Sequence, residues 1–140
     1  MLTERISHTR LLAAIVVLLV IPSGLFARSQ RPGADPTTLF GFLATYAGDT
    51  LWPVMFFFLG RFVFPSVGRW WLLASVLGLT LTLEFGQLWQ PPILQWLREQ
   101  PVVGFILGNS FLWSDVACLL VGSFVAVLLD VVLSVGVKKA

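Results

Sequence analysis

An all-α integral membrane bundle of four transmembrane helices is the fold class this sequence predicts, and three observations predict it. Of the 140 residues 57% are hydrophobic before glycine is counted, against roughly 45–50% with glycine included in soluble domains. Only 11% are charged, under half the usual ~25%. The apolar residues gather in four runs of about 20 residues, the length that crosses a hydrocarbon core as a helix. A soluble fold of this size leaves roughly a third of its unfolded surface wet, too little interior for so much apolar surface. Four spans take about 80 residues and leave no room for a soluble domain, so residues 1–140 read as a single membrane domain.

The first run, residues 11–27, follows Arg5 and Arg10 and contains Pro22. A basic start, an apolar stretch and the ending Leu25-Phe26-Ala27 resemble a cleavable signal peptide, but the run is long and Leu25 is bulky where a small residue belongs, which favours a retained helix. Residues 28–38, with two prolines and Gly33, make a polar loop. The second run, about 44–64, carries Asp49 in its first turns and ends before Pro65. The third, 70–89, holds Glu84 and Gln87 and is stopped by Pro91-Pro92. Residues 93–110 mix Trp96, Arg98 and Glu99 with Pro101, Gly104 and Gly108, as in a short interfacial segment or a re-entrant turn. The fourth run, 111–135, contains Asp115 and Asp130 and is followed by Lys138 and Lys139.

Basic residues orient such a chain. Arg5, Arg10, Arg61, Arg69, Lys138 and Lys139 fall on one side and Arg28, Arg31 and Arg98 on the other, so both termini are expected on the cytoplasmic side. Trp52, Trp89, Trp96 and Trp113 then fall towards the outer face and Trp70 and Trp71 at the inner one, where amphipathic indoles settle.

Composition removes several functions. A single histidine, His8, and a single cysteine, Cys118, rule out a His/Cys metal cluster, a serine–histidine triad and an internal disulfide. A net charge of +2 with its basic residues scattered gives nucleic acid no footprint. The sequence calls for no cofactor and contains no recognisable catalytic motif.

Helix rise brings three acids to one depth. Glu84 lies about 7–8 Å inside Trp89, Asp115 about 6 Å inside Phe111 and Asp49 about 5 Å inside Tyr46. Gln87, at i+3 from Glu84, projects from the same face, and Arg98 is the nearest cation in the following loop. An acid at mid-membrane costs roughly 2.5–3.5 kcal/mol on the insertion scale, so a shared polar site is the cheaper arrangement. Small residues permit close approach along Ala74, Gly78, Thr82 and Gly86, which implies tight packing beside Glu84, and along Cys118, Gly122 and Ala126 after Asp115.

Simpler readings stand beside the functional one. Asp115 follows Ser114 near a helix start, where a carboxylate suits the dipole. Asp49 as a cap would leave too short a span, so it belongs inside its helix. Glu84 lies near a helix C-terminus, where the dipole disfavours an anion, and is the strongest candidate. Asp130 reads as structural, snorkelling or pairing with Lys138, Lys139 or Arg69.

The order Gly48-Asp49-Thr50-Leu51-Trp52, Glu84-Phe85-Gly86-Gln87-Leu88, Arg98, Gly108, Phe111-Leu112-Trp113-Ser114-Asp115 and Gly122 resembles the small bacterial membrane proteins grouped as domain of unknown function 2809. More distantly it is similar to the VanZ-like family, which has an asparagine where this chain has Leu119 and a shorter gap between arginine and aspartate. The resemblance implies a multi-pass inner-membrane protein with Asp49, Glu84, Gln87, Arg98 and Asp115 at matching positions, and carries no settled activity.

The leading expectation is a binding or accessory protein whose outer-leaflet acid layer, closed by Arg98, recognises a lipid headgroup, a small polar ligand or another membrane protein. The alternatives are an enzyme acting on a lipid-linked substrate, with Glu84 or Asp115 as base and Arg98 on phosphate, and a helix bundle locked by Arg98–carboxylate pairs with no ligand. Ion or proton movement ranks last, because no relay residues lie between Glu84 and Asp130.

Overall fold

The computed structural model describes residues 2–100, 103 and 111–139, and is all-α. Helix α1 spans Leu2–Ser29, α2 Leu39–Val63, α3 Arg69–Gly86, α4 Pro92–Glu99 and α5 Trp113–Lys139. Of the segment expected to be interfacial or re-entrant, residues 92–99 form the short helix α4, whereas Pro101, Gly104 and Gly108 lie outside the described residues.

Among the described residues three helices are long and apolar enough to cross a membrane: Ile6–Ser29, Leu39–Val63 and Trp113–Val135, with mean hydropathies of 2.3, 1.3 and 2.7. Only 6% of the apolar window of the first is buried in the protein, against 28% and 39% for the others. So much outward apolar surface has no place in water. The third run is shorter than the sequence suggested. It ends at Gly86, after 18 residues, because the N–H groups of Gln87, Leu88 and Trp89 turn back onto Glu84, Phe85 and Gly86 carbonyls in tight i−3 bonds.

Local chemistry moves other boundaries too. α2 begins at Leu39, five residues before the expected start near 44, because Thr38 caps it: the Thr38 hydroxyl accepts from Gly41 N–H at 3.1 Å. The preceding turn is closed by Asp35, whose carboxylate accepts from the Thr37 N–H at 2.9 Å and hydroxyl at 2.7 Å. These two donors hold the Asp35 carboxyl below its ordinary pKa. A side chain at Gly41 would collide with the Asp35 backbone, so the 30–38 loop lies on the first turn of α2. Trp52 consequently sits mid-helix, about 20 Å along α2, and not at an end.

α2 is the central helix, packed against α1, α3 and α5, while α5 also contacts α3 and, more lightly, α1. The core joins Val54, Phe57 and Phe58 of α2, Leu72 and Val76 of α3, Ala126 and Val127 of α5 and Ala13 of α1. The α5 small-residue face packs as expected: Cys118 and Ala126 are buried, and a side chain at Gly122 would overlap the Thr50 carbonyl oxygen. The α3 stripe does not. Ala74, Gly78 and Thr82 are exposed, and nothing lies within 4 Å of a Cβ built on Gly78 or Gly86. The buried row is Leu72, Val76, Thr80 and Glu84. Residues two apart lie about 200° round a helix, so Glu84 and Gly86 cannot both face the bundle, and burial of the leucine–valine row decides which does.

At the end where α2 meets α3, Arg61 and Asp130 form a buried fork, with Nε on Oδ1 at 2.9 Å and Nη2 on Oδ2 at 2.8 Å. Arg61 Nη1 also donates to the Val67 carbonyl at 2.6 Å, and Arg69 reaches Asp130 at 3.3 Å and the Ser134 hydroxyl at 3.1 Å. Asp130 thus takes the expected Arg69 and adds Arg61. The side chains of Lys138 and Lys139 lie outside what is described.

Candidate functional site

At the opposite end α1 finishes, α3 finishes and α5 begins. Asp49 is the eleventh residue of α2, Glu84 lies two residues before the end of α3, and Asp115 is in the first turn of α5. Their carboxylates lie near enough to repel one another. For Asp49 and Asp115 to meet, α2 must overshoot the start of α5 by about 12 Å. The overshoot is covered by the 30–38 loop, whose Arg31 Nε donates to the Thr45 carbonyl at 3.1 Å.

The acids differ in their partners. Asp49 is ion-paired with Arg31, a half-exposed contact that joins the loop to α2. Four residues after Asp49, Pro53 lacks the N–H that would meet the Asp49 backbone carbonyl, so the helix is loosened beside the acid. Glu84 is only 7% exposed. Its Oε2 accepts from Gln87 Nε2 at 2.9 Å and its Oε1 from the Leu112 backbone N–H at 3.4 Å. Among the described residues no cation lies within ion-pair distance of Glu84. Asp115 accepts from the Ser114 hydroxyl at 3.1 Å and lies in the field of Arg28 and Arg31. Its place in the first turn of α5 also meets the dipole reading.

An aromatic clamp holds the α3–α5 junction. Phe85 stacks on Phe111 at 5.6 Å, and Trp113 meets Phe111 edge-on at 5.2 Å. Such contacts contribute about 0.5–1.5 kcal/mol each and hold the Leu112 N–H against Glu84. The thiol of Cys118 faces Thr50 one turn deeper than Asp115.

Arg98 is not the counter-charge of the acids. Its Nη2 donates to the carbonyls of Gly86 at 3.0 Å and Trp89 at 3.3 Å. A cation at a helix C-terminus satisfies carbonyls left without helical donors and suits the dipole, so Arg98 ties α4 to the end of α3. Its Nε is buried without a hydrogen-bond partner among the described residues.

The structure therefore brings Asp49, Glu84, Gln87 and Asp115 together and sets Arg98 at their margin. Sequence reasoning assigned Arg28 and Arg31 to orientation and overlooked both the Leu112 amide and the aromatic clamp. Only the run Phe111-Leu112-Trp113, with Phe85 opposite, hinted at the clamp. Among the described residues no group of three His, Cys, Asp or Glu side chains is placed to hold a metal ion. Glu84 and Asp115 form no ion pair among the described residues, Asp115 lies in the field of Arg28 of α1 and Arg31 of the loop, and such a pair of carboxylates can receive a cationic or zwitterionic group. A family model described as "Protein of unknown function (DUF2809)" matches residues 38–123. No solved structure matches the chain.

Proposed function

Because the chain belongs to the DUF2809 family, whose description names no activity, we propose from the geometry alone that it is a binding or accessory protein of the bacterial inner membrane. In this reading α3 is a fourth span, both termini are cytoplasmic and the acid layer faces the outer leaflet. There it recognises a polar group with cationic character, such as a lipid headgroup.

The observation that carries this reading is Glu84: a carboxylate 7% exposed and held, among the described residues, only by uncharged donors, Gln87 and the Leu112 amide. A buried charge without a counter-charge costs several kcal/mol. A structural lock would pair it, as Asp130 is paired with Arg61 and Arg69. Asp49 is locked in that way by Arg31. One of the three acids is thus ion-paired, and the other two, Glu84 and Asp115, which have no ion pair among the described residues, are where a ligand cation gains most.

Glu84→Gln keeps the shape and the Gln87 contact while removing the charge. Native mass spectrometry of the protein released from vesicles of equal phosphatidylethanolamine and phosphatidylglycerol is expected to show retained phosphatidylethanolamine on the wild type and loss of it on the variant. Thermal unfolding should stay within a few degrees of wild type. An unchanged lipid profile in Glu84→Gln would overturn the reading.

A further inference from the structure

The groove between α1 and α2 carries an inference that rests on the headgroup reading and names the ligand. α1 and α2 cross closely at two glycines: a Cβ built on Gly48 lies 3.4 Å from the Gly24 carbonyl oxygen and 3.7 Å from Arg28 Cβ, and one on Gly24 lies 3.9 Å from Leu51 Cβ. Alongside this crossing runs a groove of about 260 Å³ lined by Val20, Leu25, Leu51, Trp52 and Met55, with Arg28 at the end nearest the acids. Its walls are apolar apart from that arginine. The volume is below the roughly 300–1,000 Å³ of sites that enclose a drug-sized ligand. It fits a stretch of acyl chain whose remainder lies in the bilayer.

The chemistry along this surface runs in a fixed order. The apolar groove comes first, then the Arg28 guanidinium, then the carboxylates: Asp49 follows Gly48 directly, and Asp115 lies in the field of Arg28. An acyl chain, a phosphate and an ammonium occur in that order in one molecule. A guanidinium carries several donors and can hold a phosphate while keeping another contact. An anionic lipid without an amine fits the groove and Arg28 but leaves Glu84 and Asp115 uncompensated.

We propose that the α1–α2 groove and the acid layer together bind one phosphatidylethanolamine-type lipid, its chain beside Gly24, Leu51 and Trp52, its phosphate at Arg28 and its ammonium towards Asp115 and Glu84. The two glycines open the groove, and Trp52 forms its wall at mid-helix depth and reports its occupancy.

The test uses the full chain in nanodiscs of phosphatidylglycerol containing a minor fraction of lipid with dibrominated acyl chains, as either phosphatidylethanolamine or phosphatidylglycerol. Quenching of Trp52 is isolated as the difference between wild type and Trp52→Phe. The ethanolamine lipid is expected to quench Trp52 roughly threefold more effectively, on the order of one partly exposed ion pair. Arg28→Gln and the double variant Glu84→Gln/Asp115→Asn should each erase that preference. Gly24→Leu, which fills the groove, should protect Trp52 from both lipids. Equal quenching by the two lipids in the wild type, or a preference that survives Arg28→Gln, overturns the proposal. If Gly24→Leu and Arg28→Gln leave the bound ethanolamine lipid unchanged in the mass spectrum while Glu84→Gln removes it, the groove assignment fails and the headgroup reading stands. If Glu84→Gln also retains it, both fail.

Discussion

Asp130 and Glu84 are carboxylates of nearly equal burial, 7% exposed each, with opposite surroundings. Asp130 is enclosed by two arginines, and removal of its charge leaves Arg61 buried against the Val67 carbonyl and the Phe57 ring with no carboxylate among the described residues. Losing one partner of a buried pair typically costs 3–5 kcal/mol, and the half-exposed Arg69 can turn to solvent. Asp130→Asn is therefore expected to lower stability by about 3 kcal/mol, measured by reversible unfolding in mixed micelles with rising dodecyl sulfate. Glu84→Gln, which removes a charge with no counter-charge among the described residues, should leave the same midpoint unchanged or raised. A loss at Glu84 as large as that at Asp130 would place both residues among the structural locks. The sequence separated the two as a functional and a structural candidate, since Glu84 sits where the helix dipole disfavours it, and the arginines around Asp130 meet the structural reading of that residue. It supplied Arg98 as partner for the acids and was wrong there, because the C-terminal carbonyls of α3 compete for that guanidinium and are nearer.

At the scale of helices, packing rests on which face is small and which is buried. A Cβ on Gly122 would overlap the Thr50 carbonyl and come within 2.6 Å of Pro53 Cγ. Backbone cannot yield as a flexible side chain can, so Gly122→Ala should destabilise the bundle by roughly 1–3 kcal/mol. Gly78→Ala meets open space and should be neutral or stabilising by up to about 1 kcal/mol. The same unfolding experiment compares the two alanines. Equal effects would mean that the α2–α5 contact is not close. For α5 the small face was legible because Cys118, Gly122 and Ala126 also border Asp115. For α3 two rows at i+4 spacing, one small and one aliphatic, lie on opposite sides of the helix. Which of them packs depends on the neighbouring surfaces of α2 and α5.

For the whole molecule, composition was enough to indicate lipid as solvent, and three helices meet that expectation by length and apolarity. α3, with 18 residues about 27 Å long, decides whether the 64–68 and 87–91 turns lie on opposite sides. Cys118 is the sole cysteine and Cys118→Ala is a small change in a tightly packed face, so single cysteines can be placed on that background at Asp35, Ser66 and Gln90. With a membrane-impermeant maleimide on intact cells, Asp35→Cys and Gln90→Cys are expected to react and Ser66→Cys only after lysis. Reaction of Ser66→Cys and Gln90→Cys from the same side would exclude α3 as a span and reverse the reading of four crossings.

Depth is a one-dimensional quantity, set by a rise of about 1.5 Å per residue and by where apolar runs stop. The sequence alone therefore indicated lipid as solvent, located the apolar runs and gave the level at which Glu84 and Asp115 are expected. It placed Asp49 inside its helix while misplacing that helix's start, since a threonine cap and an Asp35 turn carry α2 beyond the apolar run. Which cation faces which acid is an azimuthal matter, settled by how helices pack about one another. Asp49 takes Arg31 across a loop, 18 residues away, and Asp130 takes Arg61, 69 residues away. No periodicity within a single run encodes those separations. Only the tertiary structure could leave Glu84 without a counter-charge among the described residues and set Arg28 between an apolar groove and two acids, because both arrangements depend on close approach of α1 to α2 and of α3 to α5.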